Sequence, residues 1–486
     1  MQFQLQTKMC CEFYYLFIYL RNSYVIKENV ANISCCYGIG GGCQTVELSP
    51  SMTNLDNCSN SAVSSTVTDT HIDAYLSDYK GIPETRSADV SIDPILNGAD
   101  TVMYLVNYPE GGWEVLSADT RAPIVLAMSC GGNMTIEGLS SNQAEEDMFV
   151  SLMDGLSVLK SNPDAQITTA TNTWNDFIYD AEVASVNELE SWVLVSTDIV
   201  DTYIQDRQNH LTQTKWGQGT MYTTSPTWNI SAPYTDSSKT YHCYTGCVPT
   251  AAAQILYYMN SKISTPYNSY TSCSVSTYIR PNNTSVQISP YEITLNGANP
   301  YVWDAMPLES ASSVTSTQYK YVSALMVYLG YLYDASYTLS GTSVRTSDTP
   351  EVFASNFNLS STWSGYNMPV VYDQIITQKL PVLMSISYYV DETRKGHAVI
   401  ADGYMTRINT VEKTYVWNSL TQGPQYKTET SYEYESFVAI NWGWDGSGMY
   451  SGTEPIWYNA DVINWTVGSH TFTSVDGMVY GFAKIS

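Results

Sequence analysis

Cys247 lies in the run Gly246-Cys247-Val248-Pro249-Thr250-Ala251-Ala252-Ala253-Gln254-Ile255-Leu256. Val248, Ala252, Ile255 and Met259 recur at the spacing of one buried helical face. A proline fits a helix only in its first turn, where its missing N–H would have no partner, so Pro249 puts Cys247 at the helix start. Unpaired N–H groups and the positive end of the dipole there favour thiolate over thiol. That is nucleophile chemistry. The same residue could also be a small hydrophobe filling a core, which is how most cysteines are used.

A thiolate nucleophile needs a base, and the commonest base is histidine. The chain has five histidines. His397 opens Gly396-His397-Ala398-Val399-Ile400-Ala401-Asp402-Gly403-Tyr404, after a strand ending near Val390 and a loop over 391–396. The two strands would pair as a hairpin and bring His397 to a sheet edge where a helix N-terminus can dock. Downstream, Ala439-Ile440-Asn441-Trp442-Gly443-Trp444 alternates so that Ile440 and Trp442 share one face and Asn441 takes the other. An Asn amide can orient an imidazole without carrying charge, and Trp442 beside it can shield that bond from water. Upstream, Gln218 in Trp216-Gly217-Gln218-Gly219 could donate its amide N–H to a developing oxyanion, together with the Cys247 backbone N–H. The order Gln, Cys, His, Asn is more informative than any one of these segments.

The elements that must position these residues are legible in outline. Val102 to Val106 and Trp113 to Ser117 flank Pro109-Glu110-Gly111-Gly112 and predict a hairpin. Phe149, Leu152, Met153, Leu156 and Leu159 predict a helix over 141–160, ending in a polar linker near Ser161-Asn162-Pro163-Asp164. A second helical stretch is expected over 181–206, and the helix of Cys247 over 248–260. The final third predicts strands at 381–390, 397–406, 413–417, 437–442 and 478–485. Helices followed by a run of strands indicate an α+β architecture with an antiparallel sheet. Residues 1–95, rich in Ser, Thr, Asn and Gly, are expected to be a leader or poorly ordered segment.

Composition narrows the partners. Forty tyrosines, twelve tryptophans and only 14% charged residues suit a strand-rich and turn-rich protein. A formal charge of −26 excludes nucleic acid and disfavours an anionic membrane surface, because no Lys and Arg cluster exists to meet phosphates. Six of the ten cysteines precede residue 59, with no CxxC or CxxH spacing among them, so no metal site is expected. The apolar stretch Phe13 to Leu20 is too short to span a bilayer as a helix and forms at best an imperfect secretory h-region.

These segments together resemble the streptopain family of papain-like cysteine peptidases. The family's patterns read much like the GCVPTAAAQI, GHAVIADGY and NWGW seen here. Met103 to Ala127, with Ser117-Ala118-Asp119-Thr120-Arg121-Ala122-Pro123, resembles the family's propeptide. The resemblance implies a papain-like domain over 206–486, an inhibitory propeptide domain over 96–205 and a leader over 1–95. It further implies a secreted zymogen whose mature enzyme begins between Ser161 and Thr214, acts on protein or peptide substrates and needs no cofactor. The catalytic set would be Cys247, His397, Gln218, Asn441 and Trp442. Two departures stand out: Met221-Tyr222-Thr223 where the family often has Pro-Tyr-Asn, and Pro249 where it usually has alanine. Transglutaminase chemistry, a catalytically silent binding or adhesion protein on the same scaffold, and a stand-alone inhibitor domain are the competing readings.

Overall fold

The computed structural model describes residues 90–165, 192–263 and 303–485 apart from short breaks, the strands Ser272–Ile279 and Val286–Thr294, and scattered positions over 66–76 and 167–174. The N-terminal cysteines and the apolar stretch at 13–20 lie outside the described residues.

The architecture is α+β. An antiparallel sheet of eleven strands forms its spine. Four strands come from the N-terminal third: β1 (Ser91–Asn97), β2 (Asp100–Asn107), β3 (Trp113–Ser117) and β4 (Val125–Ser129). Helix α1 (Gln143–Ser161) follows, then β5 (Trp192–Gln208). Helices α2 (Cys247–Ile263), α3 (Ser316–Leu332) and α4 (Thr349–Phe357) come next. The rest of the sheet is β6 (Leu359–Ser364), β7 (Val382–Val390), β8 (Thr393–Trp417), β9 (Gln425–Asn441), β10 (Trp457–Asn459) and β11 (Thr473–Lys484). Across the sheet the order is β1-β2-β3-β4-β10-β9-β8-β7-β11-β6, with β5 paired along the distal half of β8.

Period-two alternation on the central strands sorts the helices. Leu383, Ala398, Ile400 and Val479 pack with α2, α3 and α4 on one face. Met384, Ile386, Val399, Ala401, Ile440 and Met478 pack with the Met148, Leu152, Leu156 and Leu159 stripe of α1 on the other. The N-terminal module is therefore not appended to the sheet but part of it: β4 pairs with β10 through Met128↔Trp457 and Ala127↔Tyr458.

The expected hairpin is present, with Met103↔Ser117 and Asn107↔Trp113 in register. Asn142 caps α1, its side chain accepting from the Glu145 N–H. Asp119 and Arg121 of the Ser-Ala-Asp-Thr-Arg stretch form an ion pair at 2.8 Å, and the guanidinium donates to the carbonyls of Leu159, Asn162 and Pro163 at the far end of α1. That cation on the last turn's carbonyls ties the hairpin to the helix.

Three expectations need correction. The stretch 192–206 is strand, not helix: Val195, Thr197 and Ile199 alternate with Ser196 and Asp198, and β-branched side chains at period two suit a sheet; residues 181–191 lie outside the described set. The strands expected at 397–406 and 413–417 are one strand, β8, because β5 and β9 flank its whole distal half. The segment before residue 96 is not all leader. Val67, Ile72, Tyr75 and Leu76 are buried against Val106, Leu116, Met405 and Phe437, and β1 begins at Ser91.

Candidate active site

Four segments converge where α2 meets the β7–β8 hairpin. Cys247 is the first residue of α2, as Pro249 requires. The Gly246 that precedes it has φ +99°, and a Cβ there would come 3.1 Å from Thr342, so only glycine makes this turn comfortably. His397 pairs with Ile386 across the hairpin. Cys247 and His397 lie close enough that each shifts the other's titration, as charge and as hydrogen-bonding partner.

The electrostatics suit that contact. Burial pushes the Cys247 thiol up, but the His397 hydrogen bond and charge, with the backbone N–H groups of Ala398 and Val248, bring it below the ordinary cysteine value. Burial likewise pushes His397 down, and this is outweighed by the Cys247 contact, the Trp442 carbonyl and the charge of Asp147, so its pKa is raised. Opposite shifts in one such pair describe a thiolate facing an imidazolium.

Asn441 is not the residue that orients His397. His397 Nε2 donates to the backbone carbonyl of Trp442 at 2.8 Å, which leaves Nδ1 for the sulfur. The side chain of Asn441 faces α2, as strand alternation dictates, and its Nδ2 donates to the Thr214 carbonyl and to Gln254 Oε1, both at 2.9 Å. The shielding indole is a correction too. Trp444 stacks on the imidazole, with centroids 6.3 Å apart and planes 25° from parallel. The Trp442 indole instead points to the α1 side and donates to the Tyr458 hydroxyl at 3.2 Å.

Gln218 is buried beside the turn that precedes Cys247, its backbone carbonyl accepting from the Thr245 N–H at 3.0 Å and the Thr245 hydroxyl at 3.2 Å. Both flanking glycines are sterically required. A Cβ at Gly217 would sit 2.7 Å from Asp445 Oδ2, and one at Gly219, where φ is +89°, would sit 2.3 Å from the Asn229 side chain.

Sequence reasoning missed the residues that α1 presents to this site. Glu145 accepts from the Tyr458 hydroxyl and the Ser141 hydroxyl, each at 2.5 Å. Burial raises its pKa to about 7, against those hydrogen bonds, which lower it. Asp147 pairs with Lys395 at 2.7 Å, two residues before His397. Ser151 donates to the Phe472 carbonyl at 2.5 Å. The apolar stripe of α1 is what periodicity finds; its polar contacts follow from where the sheet places the helix.

A family model described as the peptidase C10 family matches residues 216–450. Streptopain of Streptococcus pyogenes is 24% identical over 378 residues, covering 74% of this chain and 77% of the relative, and the streptopain of serotype M1 gives the same figures. Among solved structures, a Prevotella intermedia prointerpain A fragment aligns with TM-score 0.47 and 19% identity, covering 80% of this chain and 98% of that one. The active wild-type interpain A cysteine protease of the same organism aligns with TM-score 0.38 and 20% identity, covering 57% and 97%.

Proposed function

We propose that the chain is a member of the peptidase C10 family, whose family model matches residues 216–450, and that it hydrolyses peptide bonds through a Cys247–His397 pair held inactive by its own N-terminal module. The observation that carries this is the placement of Cys247 at the start of α2 beside His397 of β8, whose Nε2 is held by the Trp442 carbonyl, with the thiol lowered and the imidazole raised in pKa by each other.

The Cys247 thiolate attacks the scissile carbonyl carbon, and the oxyanion that forms takes hydrogen bonds from the Cys247 N–H and the Gln218 amide. His397 gives its proton to the leaving amine as the tetrahedral species collapses to a thioester. A water molecule, deprotonated by the same imidazole, then attacks the thioester and releases the acid and the thiol. The Trp442 carbonyl keeps the ring in the tautomer and orientation this exchange needs, and Trp444 covers it.

Residues 96–205 act as the inhibitory propeptide in this reading, and 206–486 as the peptidase. Its support is the position of α1, whose Glu145 and Asp147 reach the residues around His397, and the exposure of much of β5, the strand that leads from one part to the other. Secretion as a zymogen acting on extracellular proteins fits the acidic surface. Cys247→Ala should abolish casein cleavage while leaving the chain folded, and a thiol-directed epoxide should label Cys247 in the processed wild type. Casein cleavage unchanged in Cys247→Ala would overturn the proposal; a processed wild type that never takes the label would favour a silent binding protein instead.

A further inference from the structure

Gln254 is fully buried in α2, seven residues and two turns after Cys247, and so on the same side of the helix. A buried amide is stable only with its donors and acceptors met, and the partners of this one are specific. Its Oε1 accepts from the Thr214 hydroxyl at 2.9 Å, the Trp216 N–H at 3.3 Å and Asn441 Nδ2 at 2.9 Å, and its Nε2 faces Asn441 Oδ1 at 3.4 Å. The amide orientations follow from the partners. The Thr214 carbonyl can only accept, so Asn441 must turn its nitrogen there, and the Trp216 N–H can only donate, so Gln254 must offer its oxygen.

Each partner belongs to a different part of the site. Trp216 is two residues before Gln218. Asn441 immediately precedes Trp442, whose carbonyl holds His397, and its Oδ1 also accepts from the Gly443 N–H at 3.1 Å. Thr212, whose hydroxyl accepts from Asn441, is bonded through its own N–H to Asp402 on the strand that carries His397, at 2.9 Å. One side chain thus connects the helix of the nucleophile to the segment of the oxyanion glutamine and to the segment that orients the base.

The geometry points to Gln254 as the positioning residue that sets the Cys247 sulfur against His397 and Gln218, so that its amide, and not Asn441 alone, determines how well the pair is aligned for peptide hydrolysis. The inference rests on the peptidase reading above. Gln254 touches neither substrate nor the reacting atoms; it acts through the register of α2 on the sheet. Misplacement of reacting groups by about 1 Å costs on the order of 10²-fold in rate, so loss of the lock should appear in kcat.

The test uses enzyme released from the full chain in the same way for every variant, with active sites titrated by a thiol-directed epoxide. Gln254→Met, of similar volume but without donors or acceptors, should lower kcat per titrated site by about tenfold or more. It should leave KM within about twofold and move the pH midpoint of Cys247 alkylation upward, because the imidazole contact that lowers the thiol is loosened. Gln254→Glu, which when protonated offers the same acceptor and one donor, should recover most of kcat. Wild-type kcat and an unmoved alkylation midpoint in Gln254→Met would overturn the inference. If Gln254→Met does not fold, Thr214→Val, which removes one hydroxyl from the lock, decides: a lowered kcat at constant KM supports the inference and an unchanged kcat overturns it. Failure of the epoxide to label wild-type Cys247 would instead remove the peptidase reading itself.

Discussion

At Cys247 burial and local contacts pull in opposite directions. Burial alone would leave an inert thiol, since charge is costly in a dry site, but an imidazole and two backbone N–H groups reverse the balance. His397→Ala removes the largest of the lowering contributions and leaves burial. The thiol should then need a pH above the ordinary cysteine value of ~8.5 before iodoacetamide alkylates it, whereas the wild type should react well below that value. A variant that alkylates with the wild-type profile would mean that His397 does not govern the sulfur. Gln218→Ala should lower kcat by about 10²–10³ with little change in KM, the signature of a donor that engages the oxyanion only in the transition state. At this scale the geometry was partly legible: Pro249 placed Cys247 at a helix start, and the expected hairpin placed His397 on a sheet strand beside that start. The orienting acceptor was not, because a backbone carbonyl has no signature in a side-chain string. The alternation that turned Asn441 away from Trp442 was readable, yet it could not say which of the two sides held the imidazole.

Among the elements, α1 has the most to say about regulation. Its Glu145 carboxyl lies in a dry pocket against Tyr458, whose hydroxyl also takes the Trp442 indole N–H, so an ionisable group of the N-terminal module is two hydrogen bonds from the residue that holds His397. Burial raises the docked pKa to about 7, above the carboxyl's usual value of 4.5. The sign follows from linkage. The neutral acid is compatible with docking below the usual value, and the advantage is lost as pH rises through about 7, where the docked carboxyl must ionise in place or leave. Activation of the full chain, followed as the appearance of epoxide-reactive Cys247, should therefore accelerate from about pH 5 to about pH 7 and level off above. Glu145→Gln, which cannot ionise, should flatten that dependence. Equal acceleration in both proteins would assign it to the enzyme's own titration. The helical stripe of α1 and the hairpin before it were readable because periodicity and a Gly-Gly turn are local. β5 was misread because its apolar residues, with Ile199 beside Val200 and Tyr203 beside Ile204, satisfy both periods over short windows, and only pairing with β8 decides between them.

For the molecule as a whole, the question is what holds the N-terminal module to the sheet it shares with the rest of the chain. Strand pairing between β4 and β10 supplies only a short seam. Beneath it lies a charge cluster: Arg407 of β8 bonds Glu435 of β9 through Nε at 2.6 Å and faces Glu114 of β3 at 3.4 Å, with all three side chains at most 4% exposed. Glu114 also accepts from the hydroxyls of Tyr75 at 2.6 Å and Tyr108 at 2.8 Å. Arg407 bonds Glu435 more closely than Glu114, so the module's carboxylate sits beside an arginine that already has an acidic partner. The two charges are consequently not equivalent. Glu114→Gln keeps the Arg407–Glu435 pair and removes the module's carboxylate, and should change stability by no more than about 1 kcal/mol. Arg407→Met removes the cation that both carboxylates share and should cost about 3–5 kcal/mol. Urea unfolding in a Cys247→Ala background, where self-cleavage cannot intervene, measures both. Combining Glu114→Gln with Arg407→Met should recover part of the loss, since one of the stranded carboxylates is then gone. Additive losses would mean that Glu114 and Arg407 are not coupled, and the hold on the module would have to come from its other contacts, among them the α1 stripe on the sheet and the packing of Val106, Leu116 and Val125 against Phe437 and Trp457.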